Sequence, residues 1–281
     1  MAFKKTIRKD IELTGVGVHS GKKVTLVLKP SESGRLVFRR ADLGNAETSI
    51  QIDRVEARNS TAVRGDRFEI RTVEHLLAAL LAMAVDSLVI ELDGDEVPIL
   101  DGSALPFIRA LEEAGTVFLE REAPVLRIFR PFVVSDGDAF IKVEAGQPDE
   151  GLFLSYTIEY PHPLIGRQSL GLSLDEETFI RQVAPARTFG FLEDAQKLRA
   201  AGLALGASFE NTVVLDREKV LSGPLRFDDE FVRHKLLDMA GDLALLGRPL
   251  RGAFSAHKAG HKLHLMTVRF IHAHPEYWTE T

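Results

Sequence analysis

The sequence predicts an α+β fold in two similar halves, on three observations. Short runs of β-branched or alternating residues, bounded by Gly, Ser and Pro, open each half. Helix-patterned runs follow them. Each half then carries one long helix with a histidine near its start, His75 in the first and His234 in the second. This arrangement fits an internal duplication with a site between the halves, although the similarity between the two halves is weak. The 281 residues suffice for two modest domains or one large one. The boundary is expected at Ala123-Pro124, giving an N-terminal domain over 1–123 and a C-terminal domain over 124–281.

In the first half, residues 11–14, 24–28, 36–38 and 67–70 read as strands. Residues 73–83 read as a buried helix and 87–92 as a strand. A turn over 98–103 leads to a helix over 105–114, ended by Gly115. The second half repeats the order. Strands are expected at 125–128, 132–134, 140–143 and 152–158, with a helix at 174–183. After a mixed stretch come a helix over 231–247 and a strand over 263–270, where apolar and polar residues alternate. The mixed stretch places Phe189, Phe191, Leu192, Leu198, Leu203 and Leu205 among small residues. It fits either a mobile hydrophobic element or ordinary packing.

Composition narrows the function classes. A net charge of −6 argues against a general nucleic-acid binder. The absence of cysteine excludes disulfides and thiolate ligands, so any metal must be held by His, Asp or Glu. It also suits a reducing cytoplasm. The first ten residues carry positive charge but no apolar segment follows, so no secretory signal is expected. The longest apolar run, 76–85, falls far short of a membrane span.

The chemistry-bearing residues concentrate in Phe-Val-Arg-His-Lys-Leu-Leu-Asp-Met-Ala-Gly-Asp at 231–242. At about 100° per residue, His234 and Asp238 lie one above the other on a helix. An imidazole and a carboxylate side by side can hold a divalent metal. The same spacing also arises by chance on structural helices. Glu74 directly precedes His75, and a Glu beside a ligand His can activate a metal-bound water. The pair equally suits a helix start, where Glu74 would favour the positive end of the dipole. His261 follows Gly260 in Lys-Ala-Gly-His, so the backbone there can turn sharply. A non-ligand His could protonate a leaving amine or stabilise an oxyanion. Asp242, one turn beyond Asp238, could hold its tautomer and raise its pKa. Otherwise His257, His261 and His264 are surface histidines. The glycine-rich loop at 15–21 lacks the three-glycine spacing and following helix of a dinucleotide fingerprint. It reads as a hairpin turn from which His19 could reach a phosphate.

Taken together, these motifs closely resemble one family, the UDP-3-O-acyl-N-acetylglucosamine deacetylases, zinc amidases of lipid A synthesis. The pieces run in the family's order: Gly-Val-Gly-Val-His-Ser-Gly, Thr-Val-Glu-His-Leu, Pro-Ile-Leu-Asp-Gly-Ser, Ala-Arg-Thr-Phe-Gly-Phe, Phe-Val-Arg-His-Lys-Leu-Leu-Asp and Lys-Ala-Gly-His. The resemblance covers essentially the whole chain. It implies two similar domains, each a small mixed sheet packed on helices, with the active site in the cleft between them. It implies one Zn2+ held by His75, His234 and Asp238, with Glu74 as general base and His261 as general acid backed by Asp242. Thr188 would help hold the oxyanion. His19 and Lys235 match substrate-binding positions, and Lys142 and Tyr160 fall where the family contacts the nucleotide. Phe189 and Phe191 match the insert, near 186–214 here, that encloses the acyl chain. The family commonly has Phe where Tyr160 stands, and either ring could stack on uracil. Members often carry Cys near the segment 59–61, which here is Asn-Ser-Thr. The chain ends soon after His274-Pro275, so no fused dehydratase domain is expected.

The implied reaction is hydrolysis of the 2-acetamido group of UDP-3-O-(3-hydroxyacyl)-N-acetylglucosamine to acetate and a free amine, by a cytoplasmic monomer without stable membrane insertion. No basic amphipathic helix calls for membrane association. Two His and one carboxylate also make the facial triad of Fe(II) oxygenases, so Fe2+ fits the same ligands. Such an oxygenase needs no Glu beside a ligand. A non-catalytic nucleotide-sugar binder would tolerate loss of Glu74 and would leave its ligand unconsumed.

Overall fold

The computed structural model describes residues 2–146 and 151–281. Its architecture is α+β, with six α-helices and several small sheets among the described residues. The helices are α1 (Glu74–Ala82), α2 (Leu105–Ala114), α3 (Glu176–Gln182), α4 (Leu192–Ala200), α5 (Glu230–Leu243) and α6 (His261–Ala273).

A five-stranded mixed sheet runs in the order Ile11–Val16, Lys23–Pro30, Leu88–Leu92, Leu36–Arg40, Ala46–Ser49. Its one parallel pair joins Leu36–Arg40 to Leu88–Leu92. A seven-stranded mixed sheet is built around Leu250–His257, which pairs antiparallel with Ala139–Glu144 and parallel with Leu152–Glu159. A separate antiparallel pair joins Phe3–Ile7 to Thr116–Glu122, so the chain returns to its beginning before entering the second sheet.

Strand alternation explains the inner faces. Leu26 and Leu28 point inward from one sheet, and Leu154, Tyr156 and Phe254 from the other, all fully buried. Helix α1 lies between elements on several sides, with Leu76, Leu77, Ala78 and Ala79 completely covered, so it reads as an apolar run rather than an amphipathic one. The buried apolar residues form one continuous core that links both sheets through α1 and α5.

The structure corrects three local expectations. Residues 263–270 are helix, part of α6, and not a strand. The alternation there coincides with a helical stripe: His261, His264, Leu265, Val268 and Ile271 are all buried, and both periods were satisfied by the same letters. Leu174 ends a strand, Arg167–Leu174, and the helix expected from it begins at Glu176, where Asp175 accepts a hydrogen bond from Thr178 N at 2.7 Å. The helix expected over 231–247 stops at Leu243 and continues as one 3-10 turn, Ala244–Leu246, closed by Gly247 at φ +67°. The glycine-rich stretch at 15–21 spans the end of the strand Ile11–Val16 and the hairpin turn that leads to Lys23–Pro30, with Gly21 N donating to Gly17 O at 2.9 Å. No helix among the described residues is long and apolar enough to cross a membrane.

Candidate active site

Two helices meet to make the site. Glu74 and His75 are the first two residues of α1, and His234, Asp238 and Asp242 lie along one face of α5. All five are buried. Entry into α1 is strained: Thr72 has φ +57°, a conformation that costs a β-branched residue energy. Its hydroxyl donates to Glu96 Oε1 at 2.9 Å, and the same buried carboxylate accepts from His19 N and Ser20 N at 2.9 and 2.8 Å. Glu96 therefore ties the glycine-rich hairpin to the start of α1.

His75, His234 and Asp238 offer one ligand atom each, all within 4.8 Å of one another. His234 Nδ1–H donates to the Ala186 carbonyl at 3.2 Å, which turns Nε2 toward Asp238 Oδ1 at 3.4 Å. His75 Nε2 lies 3.7 Å from that oxygen. Asp238 Oδ1 is buried without a hydrogen-bond partner. A buried carboxylate oxygen facing two imidazole nitrogens is costly unless a cation meets it. The spacings are near the roughly 3.3 Å between ligand atoms set about 2.0–2.1 Å from a tetrahedral ion. These residues fit a divalent metal.

Around this triad stand the candidate proton carriers. Glu74 Oε2 accepts from Thr61 N at 3.0 Å, while Oε1 lies 3.9 Å from His261 Nε2. Burial raises the Glu74 pKa, against the pull of the His261 and His75 charges. His261, first residue of α6, directs Nδ1 to Asp242 Oδ2 at 2.7 Å. Its Nε2 faces the cleft, 3.8 Å from Asp238 Oδ2. Burial alone would lower His261, but the Asp242, Asp238 and Glu74 carboxylates outweigh it and raise the group to about 9. Burial lowers His234 to about 3, so it is neutral at pH 7. Lys235 donates to Asp238 Oδ2 at 2.5 Å, and its pKa is raised because that carboxylate outweighs burial.

The cluster opens into a cavity of about 650 Å³ lined by His19, Thr188, Phe189, Phe191 and Lys235 together with the triad, Glu74 and His261. Its lining also includes the apolar side chains Leu192, Leu198 and Phe209 of the segment that carries α4. That segment is pinned to the hairpin by Leu205 N→His19 O at 3.1 Å and Gly206 N→Val18 O at 3.0 Å. Thr188 is held by its own amide donating to Gly102 O at 2.8 Å. Gly102 has φ +87°, and a β-carbon there would sit 2.0 Å from Asn211 O, so the Asp-Gly-Ser turn needs its glycine. Just before Thr188, Arg187 forms a buried ion pair with Glu230 at 2.8 Å. A cavity of about 610 Å³ at the far ends of α1 and α5, bounded by Leu81 and Leu245, has none of these groups.

Tyr160 meets Phe189 and Phe191 with ring centroids 5.7 and 5.9 Å apart. Lys142 is not brought to the cluster. It is exposed, pairs with Glu144 at 2.9 Å, and stands in register with Ser255 and Ser155. Its neighbours Ile141 and Val143 are buried, so strand alternation turns Lys142 to the opposite face of the sheet. Four residues at or beside the site escaped the sequence reading: Thr61, whose hydroxyl donates to Asp242 Oδ1 at 2.5 Å, and Glu96, Tyr156 and His264. Only His264 left a signal, its i+3 spacing from His261, which has meaning once 263–270 is read as helix.

The profile of the family described as UDP-3-O-acyl N-acetylglycosamine deacetylase matches residues 4–273. The chain is similar to proteins named UDP-3-O-acyl-N-acetylglucosamine deacetylase from several bacteria. It is 44% identical to that of Oleidesulfovibrio alaskensis over 275 residues, covering 96% of this chain and 89% of the relative. It is 41% identical to that of Sulfurimonas denitrificans over 272 residues, covering 96% and 92%. For Campylobacter fetus the identity is 40% over 269 residues, covering 95% and 90%.

Proposed function

The chain belongs to the UDP-3-O-acyl N-acetylglycosamine deacetylase family and removes the acetyl group of UDP-3-O-acyl-N-acetylglucosamine in lipid A biosynthesis, and we propose that the buried cluster of α1, α5 and α6 is where it does so. The observation that carries this reading is the pairing of Glu74 and His261, 3.9 Å apart, beside the unpartnered oxygen of Asp238.

His75, His234 and Asp238 would hold one divalent ion, Zn2+ by its preference for two imidazoles and a carboxylate, with Fe2+ fitting the same donors. Bound there, the ion supplies an acidified water and a polarised acetamide carbonyl. Glu74 takes the water proton during attack on that carbonyl. Thr188 and the His261 imidazolium face the developing oxyanion. His261 Nε2 then gives its proton to the departing nitrogen, because an amide nitrogen leaves as a neutral amine. Asp242 keeps the other nitrogen, Nδ1, protonated and His261 in place. The C–N bond breaks, and the products are acetate and the free 2-amine.

Phe189, Phe191 and the apolar lining from Leu192, Leu198 and Phe209 receive the acyl chain. Tyr160 offers a ring to the uracil, and His19 and Lys235 contact the substrate between these ends. All these groups come from one chain, which supports action as a monomer. A nucleotide-sugar substrate and a chain without cysteine support a cytoplasmic site of action.

The test is acetate release from UDP-3-O-(3-hydroxyacyl)-N-acetylglucosamine by metal-stripped protein, before and after zinc is restored. Zinc-dependent release is expected. Failure of a folded protein that rebinds one zinc would sink the proposed mechanism.

A further inference from the structure

Asp242 does not serve His261 alone. Its Oδ2 accepts two hydrogen bonds of equal length: His261 Nδ1 at 2.7 Å and His264 Nδ1 at 2.7 Å. Its Oδ1 accepts from the Thr61 hydroxyl at 2.5 Å. His264 lies one helical turn after His261 on the same face of α6 and is fully buried. On its other side, His264 Nε2 is 3.1 Å from the hydroxyl of Tyr156, also fully buried, on the strand Leu152–Glu159. His264 and Tyr156 do not line the cavity, and the mechanism above leaves them unused.

The donor count fixes the roles. The Asp242 carboxylate can only accept, so His264 Nδ1 must carry a proton. Burial lowers the His264 pKa despite the hydrogen bond to Asp242 and holds the ring neutral. Nε2 is then a lone pair, and the Tyr156 hydroxyl, kept protonated by its burial, donates to it. Every polar atom of the chain Tyr156–His264–Asp242 is satisfied by one arrangement of protons. A buried network with a single satisfying arrangement is rigid.

We infer that His264, locked in one tautomer by Tyr156, is a positioning residue for the deacetylation: it anchors Asp242 Oδ2 so that the carboxylate stays aligned with His261 Nδ1. Thr61 holds one carboxylate oxygen and would let the group swing about it. The second imidazole stops that swing. This inference rests on the proposed role of His261 as the acid.

His264→Leu keeps bulk and removes the N–H. It is expected to lower kcat about 10–100-fold, as loss of an orienting partner does, with KM and zinc content unchanged. His264→Asn puts an amide N–H near the place of Nδ1 and should restore most of kcat. The decisive comparison repeats His264→Leu in an Asp242→Ala background, where no carboxylate is left to align and it should cost nothing further. Equal losses in both backgrounds, or no loss in the native one, would overturn the inference. Should His264→Leu fail to fold, Tyr156→Phe carries the same cycle: a few-fold fall in kcat in the native background and none beside Asp242→Ala, with no fall in either overturning the inference. His261→Ala is measured alongside. If it keeps full turnover, the proposed acid is wrong whatever His264 does.

Discussion

The carbonyl oxygen of Glu74 lies 2.0 Å from where a β-carbon on Gly241 would stand. Helices α1 and α5 therefore meet at backbone contact, closer than any side chain would allow. That approach sets Glu74 and His75, at the start of one helix, against His234 and Asp238 on the other. A glycine between two of the site's own residues is thus part of how the site is assembled.

Gly241→Ala should test that contact. Alanine gains about 1 kcal/mol in helix propensity over glycine. Overpacking a tight core costs about 1–3 kcal/mol, and the obstacle here is a backbone atom that no rotamer change can move. The clash should win. A lower Tm and weaker zinc affinity are expected. A Tm at or above the native value, with zinc binding intact, would show that the helices part freely.

Glu74→Gln preserves shape and removes the proposed base. The variant should bind one zinc and lose about 10²–10⁴-fold in kcat, the range for a general base. Metal analysis beside single-turnover acetate release checks both halves. Loss of metal would make Glu74 a ligand instead.

Asp238→Ala should reduce zinc affinity by at least about tenfold. It also removes the carboxylate that Lys235 meets at 2.5 Å. Equilibrium dialysis with zinc would measure the change, and an affinity equal to the native protein's would exclude Asp238 from the ligand set.

The dependence of kcat/KM on pH should be bell-shaped. The proposed mechanism needs Glu74 ionised and His261 protonated. Burial raises the Glu74 pKa above its usual 4.5, so the acid limb should lie above that of an exposed glutamate. His261, raised to about 9 by Asp242, Asp238 and Glu74 against burial, sets the alkaline limb, where activity falls as pH passes through about 9. In His261→Ala the alkaline limb should vanish. Its persistence would assign that limb to another group.

Much of the candidate site was legible because its spacing is local. His234, Asp238 and Asp242 recur every four residues, and Glu74 directly precedes His75. The missing parts have specific causes. His264 was hidden because the letters of 263–270 satisfy a strand period and a helix period together. Thr61 reaches Asp242 and Glu74 through a hydroxyl and a backbone amide, and a Thr in a loop-and-strand stretch carries no mark of that use. Lys142 was expected near the nucleotide. The face it points from depends on the register of its strand with Leu250–His257.

The sequence by itself determined the fold class, four of the six α-helices among the described residues, about half of the strands, and the available donor types: imidazoles and carboxylates with no thiolate among them. Periodicity and ligand chemistry are properties of residues close along the chain, so one sequence suffices to read them. Only the tertiary structure decided that α1 and α5 touch at Gly241, that Asp242 is shared by two imidazoles and a hydroxyl, and that Lys142 stands on the exposed face of its sheet. Those depend on which distant segments come together, and their hydrogen bonds form between residues whose separation in sequence carries no period to read.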